Sequence, residues 1–309
     1  MNLTFKSLHP TFVAEVGPVD LRAVSDRGTL EQIRAGMDRY AVLVFREQAF
    51  SGMEQVEFAQ RFDGQLHAKT GAAAITKNRF GNEALTDISN VDEGGEIFQS
   101  NDRRRQYLLG NRLWHTDASF QDPPGRYSML FSVVLPPVAA DTEFADTRAA
   151  YDALSDDKKA QLEGLRVQHS IAYSRSTLGF EFSEKERETL KGAVHPLVRT
   201  LPNGRKSLYL ASHAASIIDW PVPEARLLLR DLTEHATQPQ FVYRHSWRVG
   251  DLVIWDNRAT MHRGMPFDDK KYRRELRRVT TLDIPIPPTT YTQRRGAEDA
   301  EGAKETRNK

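Results

Sequence analysis

Residues 241–284 read FVYRHSWRVGDLVIWDNRATMHRGMPFDDKKYRRELRRVTTLDI. Three runs rich in β-branched and aromatic residues, FVYRHSW, LVIWD and LRRVTTLDI, are separated by turn residues such as Val249-Gly250-Asp251 and predict successive short strands. Working outward, RYSMLFSVVLPP at 126–137 predicts another strand, which the double proline must stop. Near the amino terminus FVAEV, the helical GTLEQIRAGMDRY, AVLVF and the serine-capped SGMEQVEFAQRF alternate strand and helix. AVLVF is a short apolar run suited to a buried strand of a main sheet. Between these β regions, TRAAYDALSDDKKAQLEGL is helical with a break near Ser155, an N-cap for a second helix. SEKERETL and PEARLLLRDLTEHA are further helices, the latter amphipathic through Leu228, Leu232 and Ala236.

Strands therefore flank a helical insertion at about 147–236 instead of alternating strictly with helices. That order predicts a mainly β fold with α insertions, a jelly-roll-like double sheet, over a doubly wound parallel sheet. Residues 1–288 are expected to form one domain, and the polar tail 289–309 to be disordered. From about 63 to 106 periodicity degrades into Gly, Ala, Asn and charge, with LTDISNV the ordered exception; a lid-like segment is expected there.

Composition narrows the function. With 43 Lys and Arg against 42 Asp and Glu, the net charge of +1 lacks the basic footprint of a nucleic-acid binder. The absence of cysteine excludes disulfides, thiolate zinc sites and cysteine nucleophiles, and suits a reducing compartment. MNLTFKSLHPTFVAEV lacks a basic region followed by an apolar stretch, and no run is long enough to span a bilayer. A cytoplasmic protein without a membrane partner is expected.

The chemistry-bearing residues are His115 and Asp117 in RLWHTDASF, His262 in WDNRATMHRG, and Arg274, twelve residues beyond that histidine. Two histidines and a carboxylate form the facial set that leaves three adjacent positions of a ferrous ion open. A following arginine is what a dicarboxylate cosubstrate such as 2-oxoglutarate needs, so the set predicts an oxygenase. Each signal alone has a plainer reading: a surface hydrogen bond for His-x-Asp, a structural role for His262, a solvated basic strand for RRELRR. On that strand Arg274, Leu276, Arg278, Thr280 and Leu282 share one face. If that face is inward, two guanidinium groups about 13 Å apart need anionic partners, which ligands would supply. Thr142, after the proline corner, could donate to the same carboxylate as Arg274 or belong to a plain turn. A mononuclear zinc hydrolase would use the same three ligands, but HExxH is absent and the two arginines would have no purpose.

NRLWHTDASFQDPPGRYSMLFSVVLPP, DTEFADTRAAYDAL, VYRHSWRVGDLVIWDNRATMHRG and RRELRRVTTLD resemble the taurine dioxygenase/TfdA family of Fe(II)/2-oxoglutarate oxygenases, and within it the 2,4-dichlorophenoxyacetate-degrading members. The resemblance implies a double-stranded β-helix core, with His115, Asp117 and His262 as metal ligands and catalytic centre. It implies Thr142 and Arg274 as holders of 2-oxoglutarate, with O2 as second cosubstrate and ascorbate as a stimulant. Arg278 matches the position facing the anionic end of the primary substrate. Asn111 falls at a substrate-side asparagine. His213 resembles a histidine of the phenoxyacetate enzymes, with packing an equal alternative, and Lys69 and Lys77 could offer charge to a carboxylate or be solvated. The implied substrate is a small anionic aromatic molecule: an aryloxyalkanoic acid such as 2,4-dichlorophenoxyacetate, hydroxylated beside its ether oxygen to give a phenol and glyoxylate, with succinate and CO2. A taurine-like alkylsulfonate is the alternative, and a homo-oligomer is expected.

Three features depart from the family pattern. Val138-Ala139-Ala140 replaces a glycine pair before Asp141-Thr142. The interval after His262 is one residue longer, making Arg273 a rival to Arg274. KTGAAAITKNRFGNEAL, where substrate choice would be made, has little counterpart.

Overall fold

A computed structural model describes residues 2–68 and 79–284. The chain opens with antiparallel strands β1 (Thr4–Ser7) and β2 (Ala14–Gly17). Helix α1 (Arg27–Tyr40) is capped by Asp26, whose carboxylate accepts the Thr29 N–H at 2.8 Å, and it buries Leu30, Ile33 and Met37 along one face. It stops at Ala41, whose φ of 59° is left-handed, and the chain passes directly into β3 (Val42–Phe45). Helix α2 (Gly52–Asp63) starts with the reciprocal Ser51/Glu54 capping box. Within the stretch expected to be lid-like, β4 (Thr86–Ser89) lies inside LTDISNV and α3 (Arg103–Leu108) follows a cap by Asp102. Lys69 and Lys77 lie outside the described residues, as does the tail from 285.

Strands β5 (Gly125–Val134) and β6 (Thr142–Asp146) lead into the insertion. It contains α4 (Thr147–Asp152), α5 (Asp156–Leu162), β7 (Arg166–His169), α6 (Ile171–Ser176) and α7 (Glu184–Thr189). There follow β8 (Ala193–Pro196), β9 (Val198–Thr200), β10 (Lys206–Leu208), β11 (Ala214–Ile217) and α8 (Val222–Ala236). Ser155 caps α5 as expected. The insertion is not purely helical, however: β11-β7-β8 form a small sheet and β9-β10 a hairpin. These strands are three or four residues long, too short for alternation to stand out in the sequence. The carboxyl-terminal strands are β12 (Val242–His245), β13 (Leu252–Asp256), β14 (Thr260–Gly264) and β15 (Glu275–Leu282).

Two sheets carry the architecture. The larger has the order β1-β2-β3-β13-β5-β15-β4, and the smaller β12-β6-β14. From β12 to β15 the chain alternates between them, so each connection crosses the space where the sheets meet. Phe144 of β6 packs there with Val42, Val44, Leu130, Val253, Trp255 and Leu276 of the larger sheet. The opposite face of that sheet, through Leu43, Phe45, Met129, Ile254 and Val279, buries the apolar stripes of α1 and α2. AVLVF is apolar throughout because both of its faces are covered. A third cluster, including Tyr151, Val167, Leu229 and Met261, fastens the insertion to the smaller sheet. No helix among the described residues is long and apolar enough to cross a membrane.

Candidate metal centre

His115 and His262 are brought together by backbone pairing. The His115 N–H donates to the His262 carbonyl at 3.0 Å, and the His262 N–H returns a bond at 2.8 Å. Residues that exchange both bonds stand directly opposite with side chains on one face, and the imidazole centroids are 4.2 Å apart. Asp117 does not reach them along a strand. His115 forms an isolated bridge, the chain turns immediately after it, and Ala118 has a left-handed φ of 54°. The Asp117 carboxylate lies 3.8 Å from His115 Nε2 and 3.7 Å from His262 Nε2. One donor atom from each of the three residues falls within 4.8 Å of the others, and all three residues are buried.

This set fits a divalent cation. His115 Nδ1 is 2.8 Å from the Leu113 carbonyl, which can only accept, so Nδ1 carries the proton and the Nε2 lone pair faces the cluster. Burial pushes His115 down to about 4 and His262 well below the ordinary histidine value, leaving both rings neutral near pH 7. Burial opposes ionisation of Asp117, but the Arg278 guanidinium, the two rings and the Ser128 hydroxyl more than offset it and hold the carboxyl at about 2. Neutral imidazoles and a carboxylate converging without hydrogen bonds among themselves form the oxygen and nitrogen donor set of a mononuclear transition-metal centre.

Asp117 is held by groups from several strands. Ser128 Oγ on β5 donates to Asp117 Oδ2 at 2.7 Å while accepting from Asn257 Nδ2 at 3.0 Å. Asn257 Oδ1 accepts the Asp117 backbone N–H at 3.1 Å and Trp255 Nε1–H at 3.0 Å. Thr280 Oγ1 completes the network 3.1 Å from Ser128 Oγ. Arg278 Nη1 donates to Asp117 Oδ1. The residue read from sequence as facing a substrate anion thus sits in the site with its charge already on a ligand carboxylate.

Two cavities meet at this centre. The first is lined by Leu130, Thr142, Trp255, His262 and Arg274, among others. Its other arginines have carboxylate partners: Arg105 and Arg112 pair with Asp269, and Arg278 with Asp117. Arg274 has none within ion-pair distance among the described residues; its Nη2 donates to the Ala140 carbonyl at 3.2 Å and its Nε is buried without a partner. Burial lowers Arg274 to about 10, which leaves it charged at neutral pH. Arg273 instead points outward, with a half-exposed side chain paired to Glu275. Thr142 Oγ1 accepts from Trp247 Nε1 at 3.0 Å, which leaves its own proton free to donate.

The second cavity is lined by residues including Leu85, Tyr107, Asp117, Phe120, Arg175 and His213. His213 stands edge-on to Phe120 with ring centroids 4.9 Å apart. Its Nδ1 is 3.1 Å from Ser119 Oγ, and its Nε2 is buried without a partner. His115, Asn111 and Arg278 border both cavities. Sequence reading missed Ser128, Asn257 and Trp247, although all three lie inside the motifs it singled out. It also missed Tyr107 and Arg175, which no motif marks.

Geometry defines the class as a mononuclear two-histidine, one-carboxylate centre between two sheets. Residues 4–280 match the "Taurine catabolism dioxygenase TauD, TfdA family", and the chain belongs to that family. It is 46% identical over 284 residues to an alpha-ketoglutarate-dependent 2,4-dichlorophenoxyacetate dioxygenase of Burkholderia sp. strain RASC, covering 91% of this chain and 95% of that protein. A protein of the same name from Cupriavidus pinatubonensis strain JMP 134 is 47% identical, with 92% of this chain and 99% of that one covered. The crystal structure of AAD-2 in complex with Mn(II) and N-oxalylglycine matches with a TM-score of 0.87 and 44% identity, over 91% of this chain and 98% of that one.

Proposed function

We propose that this protein is an Fe(II)- and 2-oxoglutarate-dependent oxygenase on a double-stranded β-helix core, hydroxylating the carbon beside the ether oxygen of aryloxyalkanoic acids such as 2,4-dichlorophenoxyacetate. The observation that carries the reading is the shared wall. One buried donor set borders a cavity holding an arginine without a carboxylate partner and a second cavity with aromatic and apolar lining. When bound, Fe(II) would activate O2, the oxidant, which converts 2-oxoglutarate to succinate and CO2 with one oxygen atom and supplies the other to the substrate as hydroxyl.

The chain's own residues do the rest. His115, Asp117 and His262 hold the metal. Arg274 and Thr142 take the far carboxylate of 2-oxoglutarate, a charge-assisted contact in a buried place where it counts most. Arg278, bordering both cavities, meets the carboxylate of the aryloxy acid, and Asn111 and His213 line its path. Phe120 and Leu85 shelter the aromatic ring and exclude water from the reacting carbon. The hydroxylated product is a hemiacetal, which separates into a phenol and glyoxylate.

The test is a panel of aryloxyacetates, 2-aryloxypropionates, cinnamates and sulfonates scored by succinate formation with Fe(II) and ascorbate, after metal analysis of anaerobically purified protein. Aryloxyacetates should give the highest kcat/KM. A response to taurine alone would overturn the substrate assignment, and succinate formation independent of O2 would overturn the reaction.

A further inference from the structure

Arg175 on α6 is 3% exposed, yet among the described residues it makes no ion pair. Its Nη1 donates to Ser174 Oγ at 3.2 Å, and its guanidinium carbon lies 4.6 Å from the centre of the Tyr107 ring. Both neighbours are neutral, and Nε is buried with no partner. The carboxylates on the second cavity are otherwise placed: Asp117 is taken by Arg278, Asp87 by Arg79, and Glu83 is exposed. A buried guanidinium that lacks an anion is costly to keep, and an apolar residue of similar volume would serve packing better.

The chain also makes room for this cation. A Cβ on Gly110 would stand 2.1 Å from the Arg175 guanidinium carbon and from Nη1, so the guanidinium lies directly on a backbone that only glycine offers. From that seat Arg175 lines the same cavity as Arg278, Phe120 and His213. The two guanidinium groups repel each other across it.

We infer that Arg175 is the second arm of a carboxylate clamp: the acid group of the aryloxy substrate enters between Arg175 and Arg278, with Gly110 and Tyr107 as the seat that aims Arg175. This rests on the aryloxy-acid reading, and it adds a specificity-determining residue carried by the insertion. An anion between the two groups offsets their repulsion and satisfies the buried Arg175 guanidinium, whereas a neutral ligand of the same shape leaves Arg175 uncompensated, Arg278 keeping Asp117 as its partner.

The experiment compares wild type, Arg175→Gln and Arg175→Lys with phenoxyacetate and its neutral amide, phenoxyacetamide. KM for each compound and for 2-oxoglutarate is measured on the iron-loaded enzyme, phenoxyacetate Kd by calorimetry on the metal-free protein, and stability by urea unfolding. Loss of a charge-assisted contact predicts a rise of roughly 10- to 100-fold in phenoxyacetate KM and Kd for Arg175→Gln. The amide values and the KM for 2-oxoglutarate should stay within about twofold, without loss of stability. Arg175→Lys keeps the charge and should recover part of the loss; if the glutamine variant does not fold, a carboxylate-specific rise in this variant carries the test. An unchanged acid-to-amide ratio, or a parallel rise in all KM values with loss of stability, would overturn the clamp. If wild type makes no succinate from any aryloxy acid, the activity reading fails while the Kd comparison still decides the clamp; wild type that does not bind phenoxyacetate overturns it.

Discussion

The two cavities that share His115 are built by different parts of the chain. The wall of the first that carries Thr142 and His262 is built by strands, with Leu130 on β5, Thr142 on β6, Trp255 on β13, His262 on β14 and Arg274 just before β15, while α3 and loop residues such as Arg105 and Phe267 close its other side. The second is walled by short helices and loops, with Tyr107 on α3, Arg175 on α6, and Phe120 and His213 between elements. Ladder bonds on both sides of a strand fix where its side chains point, so a sheet suits a cosubstrate that never changes. Loop and insertion residues are placed by local packing, and they suit a partner that differs between relatives.

The largest expected effect lies at the shared wall. Asp117→Asn keeps shape but removes the anion, leaves Arg278 without its carboxylate and replaces a charged metal ligand by a weak one. Metal content after dialysis should fall below detection and succinate formation with it, so both cavities lose function together. Metal retained at full occupancy would dismantle the shared-wall account.

Arg274→Gln should separate the cavities. Removing a buried cation from a carboxylate ligand costs about 2–5 kcal/mol, which predicts a rise on the order of a hundredfold in KM for 2-oxoglutarate. The aryloxy-acid KM should change little, and Arg273→Gln should change neither, since Arg273 is half-exposed and paired with Glu275. Equal effects on both KM values would mean that the two spaces act as one. A smaller effect belongs to Ser128→Ala, which removes the 2.7 Å bond to Asp117 and strands Asn257 Nδ2. Loss of such an orienting partner should weaken metal binding about 10-fold with the ligands intact, as read by competition with a chelator.

The same contrast governs what the sequence disclosed. The face shared by Arg274, Leu276 and Arg278 followed from the two-residue period of a strand, and AVLVF from its unbroken apolar run. The convergence of His115, Asp117 and His262 was also legible from the residue types, although the local backbone that brings Asp117 in was not. HTD is a bridge and a turn, and nothing in its composition announces the left-handed backbone at Ala118. The short strands of the insertion escaped because three or four residues cannot display a period. Arg175 reads as an ordinary surface arginine in SIAYSRSTLG, since its seat is a glycine on another element, reached only through tertiary structure.

The smallest effect concerns acid, and it should strike the insertion side. Ser119 Oγ lies 3.1 Å from both His213 Nδ1 and His169 Nδ1. One hydroxyl has one proton to donate, so with neutral rings one histidine accepts it and the other donates. Burial, with His195 and Arg199 nearby, pushes His169 down to about 3. A folded pKa below the unfolded value means that the unfolded chain binds the extra proton. This stabilisation is complete above about pH 6.5 and drains away as pH falls towards 3, at up to about 1.4 kcal/mol per pH unit for one site. Urea unfolding of the metal-free protein between pH 7 and 4.5 should show that slope, and His169→Gln should flatten it by about one proton's worth. Arg274 stays charged throughout this window, and bound metal holds His115 and His262, the other histidines with lowered values at the first cavity, in the neutral form. Hydrogen exchange of the metal-loaded protein at pH 5 should therefore quicken in β7, β8 and β11 before β5 and β13. Acceleration in β5 and β13 first would show that the sheet side, and not the insertion, is the less secure wall of the site.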